Sequence, residues 1–253
     1  MNITLENISF AYANKKIFTN VNATLAPGRV HYLAGCNGSG KSTLLKLLAG
    51  YLAPAGGTIK LNDTPLNKIS GSTRARLLGV MWQNPAPALD FSVQETVEIT
   101  ASARFPRLGF LNAEDQQLIG HALELFELEK LRNQKISTLS GGERQRTVLA
   151  GLFALQPEIM LLDEPTSALD PAARNRTAEL LEKYAENHTV LVITHDPELL
   201  GRAAGTVWLL DGRGAFLSGS AESMLTTEVL SKVYSTVATV ESTAGGRKHI
   251  FFD

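Results

Sequence analysis

Gly35-Cys36-Asn37-Gly38-Ser39-Gly40-Lys41-Ser42-Thr43 is the stretch on which the fold turns. It fits the pattern G-x-x-x-x-G-K-[ST], and its flanks suit the mechanism behind that pattern. Val30 to Ala34 read as a short buried strand. Lys41 to Tyr51 read as a helix with Leu44, Leu45, Leu47 and Leu48 on its apolar side. Glycines between a strand and a helix let backbone N–H groups turn inward around an anion, and the positive end of the helix adds to the attraction. Gly35, Asn37, Gly38, Ser39, Gly40, Lys41, Ser42 and Thr43 are therefore candidate phosphate-binding residues. Lys41 is placed to reach the β- and γ-phosphates of a nucleotide, and Ser42 to offer its hydroxyl to Mg²⁺. Cys36 sits at a free position of the loop. It is either a tolerated filler or a thiol acidified by an electropositive setting.

Working toward the N-terminus, Ile3 to Tyr12 alternate as a strand, a turn falls at Ala13–Lys16, and Ile17 to Leu25 form a second run, so the chain opens with an antiparallel pair. Toward the C-terminus, Pro54, Gly56 and Gly57 stop the helix, and a hairpin over Thr58–Leu66 follows. Gly79–Trp82 is a short strand ending at Gln83. After Asn84-Pro85 the pattern is mainly helical to about Leu155. There Asn112 caps a helix whose apolar face carries Leu118, Ala122, Leu125 and Phe126. Ile159–Leu162 and Thr189–Thr194 are strands separated by a helix over about Ala172–Asn187, the pattern of a right-handed parallel crossover. The last stretch, about 220–253, holds a short helix, then Ala-Gly-Gly-Arg and His-Ile-Phe-Phe, with no chemistry that its residues identify.

The apolar run Ile159-Met160-Leu161-Leu162 ends in Asp163-Glu164. Successive strand side chains point to opposite faces, so two acids at a strand end can take separate tasks. Asp163 is the Mg²⁺-side carboxylate, and Glu164 is positioned to orient or deprotonate an attacking water. His195 and Gln83 each follow a strand. His195 is read as a γ-phosphate sensor, against a plain structural histidine, and Gln83 as a residue near Mg²⁺ and water.

Leu139-Ser140-Gly141-Gly142-Glu143-Arg144-Gln145-Arg146 precedes an amphipathic helix bearing Val148, Leu149, Leu152 and Phe153. Ser-Gly-Gly at a helix start is a second anion-binding surface, although many glycine turns share that look. The order is what carries weight: a glycine cradle, a strand-end Gln, LSGGERQR, a strand ending in Asp-Glu, Ser167-Ala168-Leu169-Asp170, and a strand-end His. In that order the motifs resemble the ABC ATPase family over nearly the whole chain.

The resemblance implies an α/β fold: a P-loop NTPase (RecA-like) core with an antiparallel β subdomain and an inserted α-helical subdomain. It implies one ABC ATPase domain over 1–253, with a nucleotide-binding core at about 1–84 and 156–219, a helical subdomain at about 85–155 and a C-terminal extension at about 220–253. It further implies ATP and Mg²⁺ as cofactors and a head-to-tail homodimer. In such a dimer Ser140, Gly141, Gly142 and Glu143 of one copy close over nucleotide held by the other, and Asp170 belongs to the segment linking the two sites. Tyr12 matches the adenine-stacking aromatic, or else is a core tyrosine of the first sheet. Phe91-Ser92-Val93-Gln94-Glu95-Thr96-Val97 and the stretch around Arg104-Phe105-Pro106-Arg107-Leu108-Gly109 are similar to importers of iron-siderophores, haem and cobalamin, as is the ending Leu230–Tyr234. This implies permease subunits, an extracytoplasmic substrate-binding protein and a peripheral place on the cytoplasmic face of the inner membrane. An exporter subunit and a soluble non-transport ABC ATPase are the alternatives.

Composition narrows the classes further. The 253 residues carry 24 Lys plus Arg and 25 Asp plus Glu, for a net charge of -1, so bulk nucleic-acid binding has no electrostatic support. One cysteine allows no internal disulfide, and the five histidines lack metal-ligand spacing. No basic head with an apolar run marks a signal peptide, and nowhere do ~20 apolar residues run together, so any membrane spanning is expected from another chain.

Overall fold

Val30–Gly35, Ile159–Asp163 and Thr189–Ile193 are buried at every position. Strands that are apolar on both faces must be covered on both faces, which is the setting of a parallel sheet between layers. The computed structural model, which describes residues 1–13, 15–83, 90–104, 111–243 and 247–253, shows this arrangement. Asn84-Pro85 and Phe105–Gly109, singled out above, lie outside the described residues.

In chain order the elements are β1 (Ile3–Tyr12), β2 (Lys15–Leu25), β3 (Val30–Gly35), α1 (Lys41–Leu48), β4 (Gly56–Leu61), β5 (Thr64–Pro65), α2 (Gly71–Leu77) and β6 (Leu78–Met81). Then come α3 (Val93–Thr100), α4 (Ala113–Leu125), α5 (Gly141–Leu155), β7 (Ile159–Asp163), α6 (Pro171–Ala185) and β8 (Thr189–Ile193). The chain ends with α7 (Pro197–Leu200), β9 (Thr206–Leu210), β10 (Phe216–Ser220), α8 (Ala221–Met224), α9 (Thr227–Tyr234), β11 (Ala238–Ser242) and β12 (Lys248–Phe252).

The central sheet runs β10-β9-β3-β8-β7-β6, parallel except for the edge strand β10. A separate antiparallel sheet runs β2-β1-β4-β5. The alternation of strand side chains sorts the core into two layers. Leu33, Ile159, Leu161, Leu191, Ile193, Trp208 and Leu210 face α1 and the antiparallel sheet. Tyr32, Met160, Leu162, Val190, Val192, Val207 and Leu209 face the helices α3 to α6. The fold is therefore the α/β class expected, with a P-loop core, an antiparallel sheet and a helical region.

Several local expectations need correction. The buried face of α4 is Ile119, Ala122 and Leu123, followed by Phe126; Leu118 and Leu125 are only partly buried at its rim. One step of 100° separates the two stripes, and packing against α5 decides between them. In α5 the buried apolar residues are Leu149, Ala150, Leu152, Ala154 and Leu155, with Val148 and Phe153 at the edge. Helix α2 and strands β9 and β10 have no counterpart in the sequence reading. The ending is more than a helix and two short runs, because β11 and β12 pair as an antiparallel hairpin against α7 and α9.

His31 is a satisfied core histidine. Its Nδ1 accepts from the Thr206 N–H at 3.0 Å, so Nε2 carries the proton and donates to the Ala26 carbonyl at 2.7 Å. Burial holds its pKa below the usual imidazole value, outweighing the Ala26 bond. The unfolded chain thus binds a proton more readily at this site, and stability present above about pH 6.5 is lost as pH falls. The expected slope from one proton is at most about 1.4 kcal/mol per pH unit. Chemical denaturation between pH 7.5 and 5 measures it, and His31→Gln is expected to flatten the curve in that window.

Candidate functional site

The carboxyl ends of β3, β7 and β8 come out side by side, because these strands pair in parallel as Leu33↔Ile193 and Asp163↔Ile193. A cavity of about 820 Å³ opens at that edge. Gly35, Asn37, Gly38, Gly40, Lys41, Ser42 and Thr43 line one side of it, and Gln83, Asp163, Glu164 and His195 the other. Tyr12 stands at its mouth, 46% exposed, with its ring edge-on to Phe10 at 4.9 Å. That exposure removes the reading of Tyr12 as a core residue.

Gly35 has φ 141°, a region that favours glycine, and a Cβ there would collide with the Leu210 carbonyl. Half-buried Lys41 crosses back over the loop, donating to the Gly35 carbonyl at 2.7 Å and the Cys36 carbonyl at 2.9 Å. Burial lowers its pKa, opposed by the charges of Glu164 and Asp163. Ser39 is buried, and its hydroxyl has no partner among the described residues. Cys36 is not a free position: its thiol donates to the Val233 carbonyl at 3.2 Å.

Ser42 donates its hydroxyl to Asp163 Oδ2 at 3.3 Å. Burial, and next the Glu164 charge, raise the Asp163 carboxyl above the ordinary range, against the pull of Ser42 and Lys41. Glu164 has φ 53°, an uncommon backbone for a non-glycine residue, and it is fixed from three directions. Its N–H donates to the Ile193 carbonyl at 2.9 Å. Its carbonyl accepts from Gln145 Nε2 at 2.7 Å. Its carboxylate Oε1 accepts from the His195 N–H at 2.9 Å and from His195 Nδ1 at 2.5 Å. The side chains are 6% exposed for Glu164 and 65% for His195, so the histidine stands between a buried acid and the open cavity.

Ser140, Gly141, Gly142 and Glu143 lie outside the lining of this cavity. Ser140 caps α5, accepting from the Glu143 N–H at 3.3 Å, while the Glu143 carboxylate accepts from the Ser140 N–H at 2.8 Å and its hydroxyl at 2.7 Å. These bonds hold the Glu143 pKa below the usual carboxylate range. Glu143 therefore has a capping task within its own chain. A Cβ on Gly142 would come within 2.9 Å of the Ala168 carbonyl, so the turn packs closely on Ser167–Asp170. Asp170 caps α6, accepting from the Ala173 N–H at 2.9 Å.

Four residues of the site escaped the sequence reading. Lys15, Ile17 and Tyr234 line the cavity, and buried Gln145 joins the start of α5 to the loop after Glu164, where it also accepts from the Ala168 N–H at 3.0 Å. Gln145 lay inside a quoted motif but looked like one more helix residue. Tyr234 lay in the ending that matched the importer group.

Comparison with known proteins agrees with this geometry. Residues 18–167 match the family model described as ABC transporter. The hemin import ATP-binding protein HmuV of Bordetella avium is 36% identical over 250 residues, covering 95% of this chain and 94% of its own length. Among solved structures, an inward-facing transporter described as of the metal-chelate type superposes with TM-score 0.84 at 28% identity, over 99% of this chain and 97% of its own. A dimeric bacterial ABC transporter cassette superposes with TM-score 0.75 at 27% identity, over 87% of this chain and 98% of its own.

Gln145→Leu removes the partner of the Ala168 N–H and one partner of the Glu164 carbonyl, which keeps the Ser167 hydroxyl at 3.2 Å. The loss of these two hydrogen bonds sets an expected cost of about 2 kcal/mol. In a chain of this size that corresponds to a melting temperature lower by roughly 4–8 °C, checked by thermal denaturation.

Proposed function

This chain belongs to the ABC transporter family and is an ATP-hydrolysing subunit of it; on that premise we propose that two copies pair head to tail and drive import of a metal chelate. The observation carrying the reading is the separation within one chain of two half-sites. The cradle, Glu164 and His195 share a cavity, whereas Ser140–Gly142 form the start of α5 outside it. A helix start with a Ser-Gly-Gly turn attracts anionic oxygen, and a second copy supplies it to the open side of the cradle. The dimeric cassette among the structural neighbours supports this pairing.

In this reading Tyr12 stacks on adenine and Gly35 to Thr43 wrap the phosphates. Lys41 neutralises charge that builds on the γ-phosphoryl oxygens. Glu164 accepts a proton from the water that attacks phosphorus, while the bond to the β-phosphate oxygen breaks and ADP departs. His195 anchors one carboxylate oxygen and leaves the other for that water. Ser42, Asp163 and Gln83 suit Mg²⁺: their donors are hard oxygens, with Ser42 Oγ and Asp163 Oδ2 3.3 Å apart. Among the described residues no cluster of three His, Cys, Asp or Glu could hold a metal by itself. When bound, Mg²⁺ supplies charge neutralisation between the β- and γ-phosphates.

Coupling to transport runs through the far side of Gln83. A groove of about 330 Å³ lies there, bordered by Tyr51, Arg74, Trp82, Thr100 and Leu152. Tyr51 is 70% exposed and edge-on to Trp82 at 5.2 Å. The groove receives a short helix of a permease subunit. The import relatives support a peripheral place on the cytoplasmic face through a permease; no helix among the described residues is long and apolar enough to cross a membrane. Hemin import by the Bordetella avium relative and the metal-chelate type of the structural neighbour support a chelate cargo; in the import reading an extracytoplasmic binding protein delivers it.

Glu164→Gln is expected to slow ATP hydrolysis by roughly 10²–10⁴-fold, the usual scale for a positioned base, with ATP binding retained. Size-exclusion chromatography with Mg-ATP is expected to show this variant as a stable dimer. Wild-type turnover in the variant removes Glu164 from its role, and a variant that stays monomeric while loaded with ATP removes the pairing.

A further inference from the structure

The C-terminal segment reaches into the phosphate site. The Gly35 N–H donates to the Tyr234 hydroxyl at 3.0 Å, across 199 residues of sequence. One residue on, the Cys36 thiol donates to the Val233 carbonyl. The Gly35 carbonyl is held by Lys41. The two peptide units flanking Gly35 are thus fixed from opposite sides: the one before it by Tyr234, the one after it by Lys41.

Gly35 needs such anchoring. With no side chain and φ 141°, Gly35 is the last residue of β3, where the strand hands over to the cradle. Tyr234 is itself held firmly. Its ring packs on Phe252 of β12 at 4.7 Å. Val233 and Leu230 of α9 are buried in the core. The hairpin is tied to α9 by the Ala238 N–H on Ser231 Oγ at 2.9 Å and the Val240 N–H on Thr227 Oγ1 at 3.1 Å. Tyr234 also lines the cavity beside Lys41 and Glu164. Accepting from Gly35 leaves its hydroxyl hydrogen to donate.

We propose that Tyr234 is a positioning residue for nucleotide binding, through which α9 and the β11–β12 hairpin set the conformation of the phosphate loop at Gly35. Burial pushes the phenol pKa up to about 12, so the hydroxyl stays protonated at neutral pH and serves as acceptor and donor at once. The proposal rests on the nucleotide reading of the cradle, and it gives the C-terminal extension a task in ATP affinity beyond packing.

Tyr234→Phe keeps the ring on Phe252 and removes the hydroxyl alone. On the full-length chain, titration with a fluorescent ATP analogue is expected to show Kd raised about 5–10-fold, the scale of one hydrogen bond. KM for ATP is expected to rise equally, with kcat within twofold. A hydroxyl that only ties down the chain end lowers the melting temperature and leaves Kd and KM alone. Wild-type Kd in this variant, at a temperature where both proteins are folded, therefore overturns the proposal. Should Tyr234→Phe not fold, Phe252→Leu carries the test: it loosens the ring beneath the hydroxyl, with Kd expected to rise at least threefold, and an unchanged Kd overturns the proposal. Lys41→Ala is titrated alongside. Undiminished affinity in Lys41→Ala defeats the nucleotide reading of the cradle, whereas lost affinity there beside wild-type affinity in Tyr234→Phe defeats the role of Tyr234 alone.

Discussion

Parallel, in-register pairing of β3, β8 and β7 is the constraint from which the site follows. In a parallel sheet every strand delivers its carboxyl end to the same edge. Gly35, His195 and the pair Asp163-Glu164 each lie at or just beyond such an end, so groups up to 160 residues apart in sequence converge on one cavity. The pairing holds because both sheet faces are buried, one by α1 and the antiparallel sheet, the other by the helices. A slip of one residue in any of these strands would exchange its two faces and turn core side chains toward the wrong layer.

Gathering an ammonium and two carboxylates at a half-buried edge is electrostatically unfavourable, and the structure shows how it is contained. Burial disfavours the charged forms of both Lys41 and Asp163, and the opposite charges around each partly offset it. Glu164 carries a second burden, a left-handed backbone at the start of a loop. Its amide, its carbonyl and one carboxylate oxygen are each bonded, to Ile193, Gln145 and His195 respectively. An uncommon backbone persists where the surroundings over-determine it, and such positions cluster at functional sites.

Gln145 links the site to the remainder of the chain. It sits on α5, whose first turn is the Ser140–Gly142 segment, and it bonds to the loop running from Glu164 to Ala168. A displacement of α5 is therefore felt directly at the Glu164 peptide. In the head-to-tail pairing proposed above, this link would join the helix start that faces the other copy's nucleotide to Glu164 at its own site.

The sequence by itself determined the elements whose signals are local. The glycine loop between a strand and a helix, the apolar runs ending in Asp163-Glu164 and before His195, and the Asn112 cap all depend on residues within a few positions of one another. The family and the α/β fold followed from the order of these motifs. The sequence did not determine which stripe of α4 is buried, because Leu118 and Ile119 are equally apolar and only the position of α5 distinguishes them. It gave no sign of Gln145 as the brace of Glu164, since a glutamine in a helix looks the same whether it faces solvent or a buried carbonyl. Nor could it place Tyr234 on Gly35, a contact made only when β9, α9 and the terminal hairpin fold back across the sheet. Local patterns fix local backbone, whereas long-range hydrogen bonds to single backbone groups leave no periodicity to read, and the tertiary structure alone decides them.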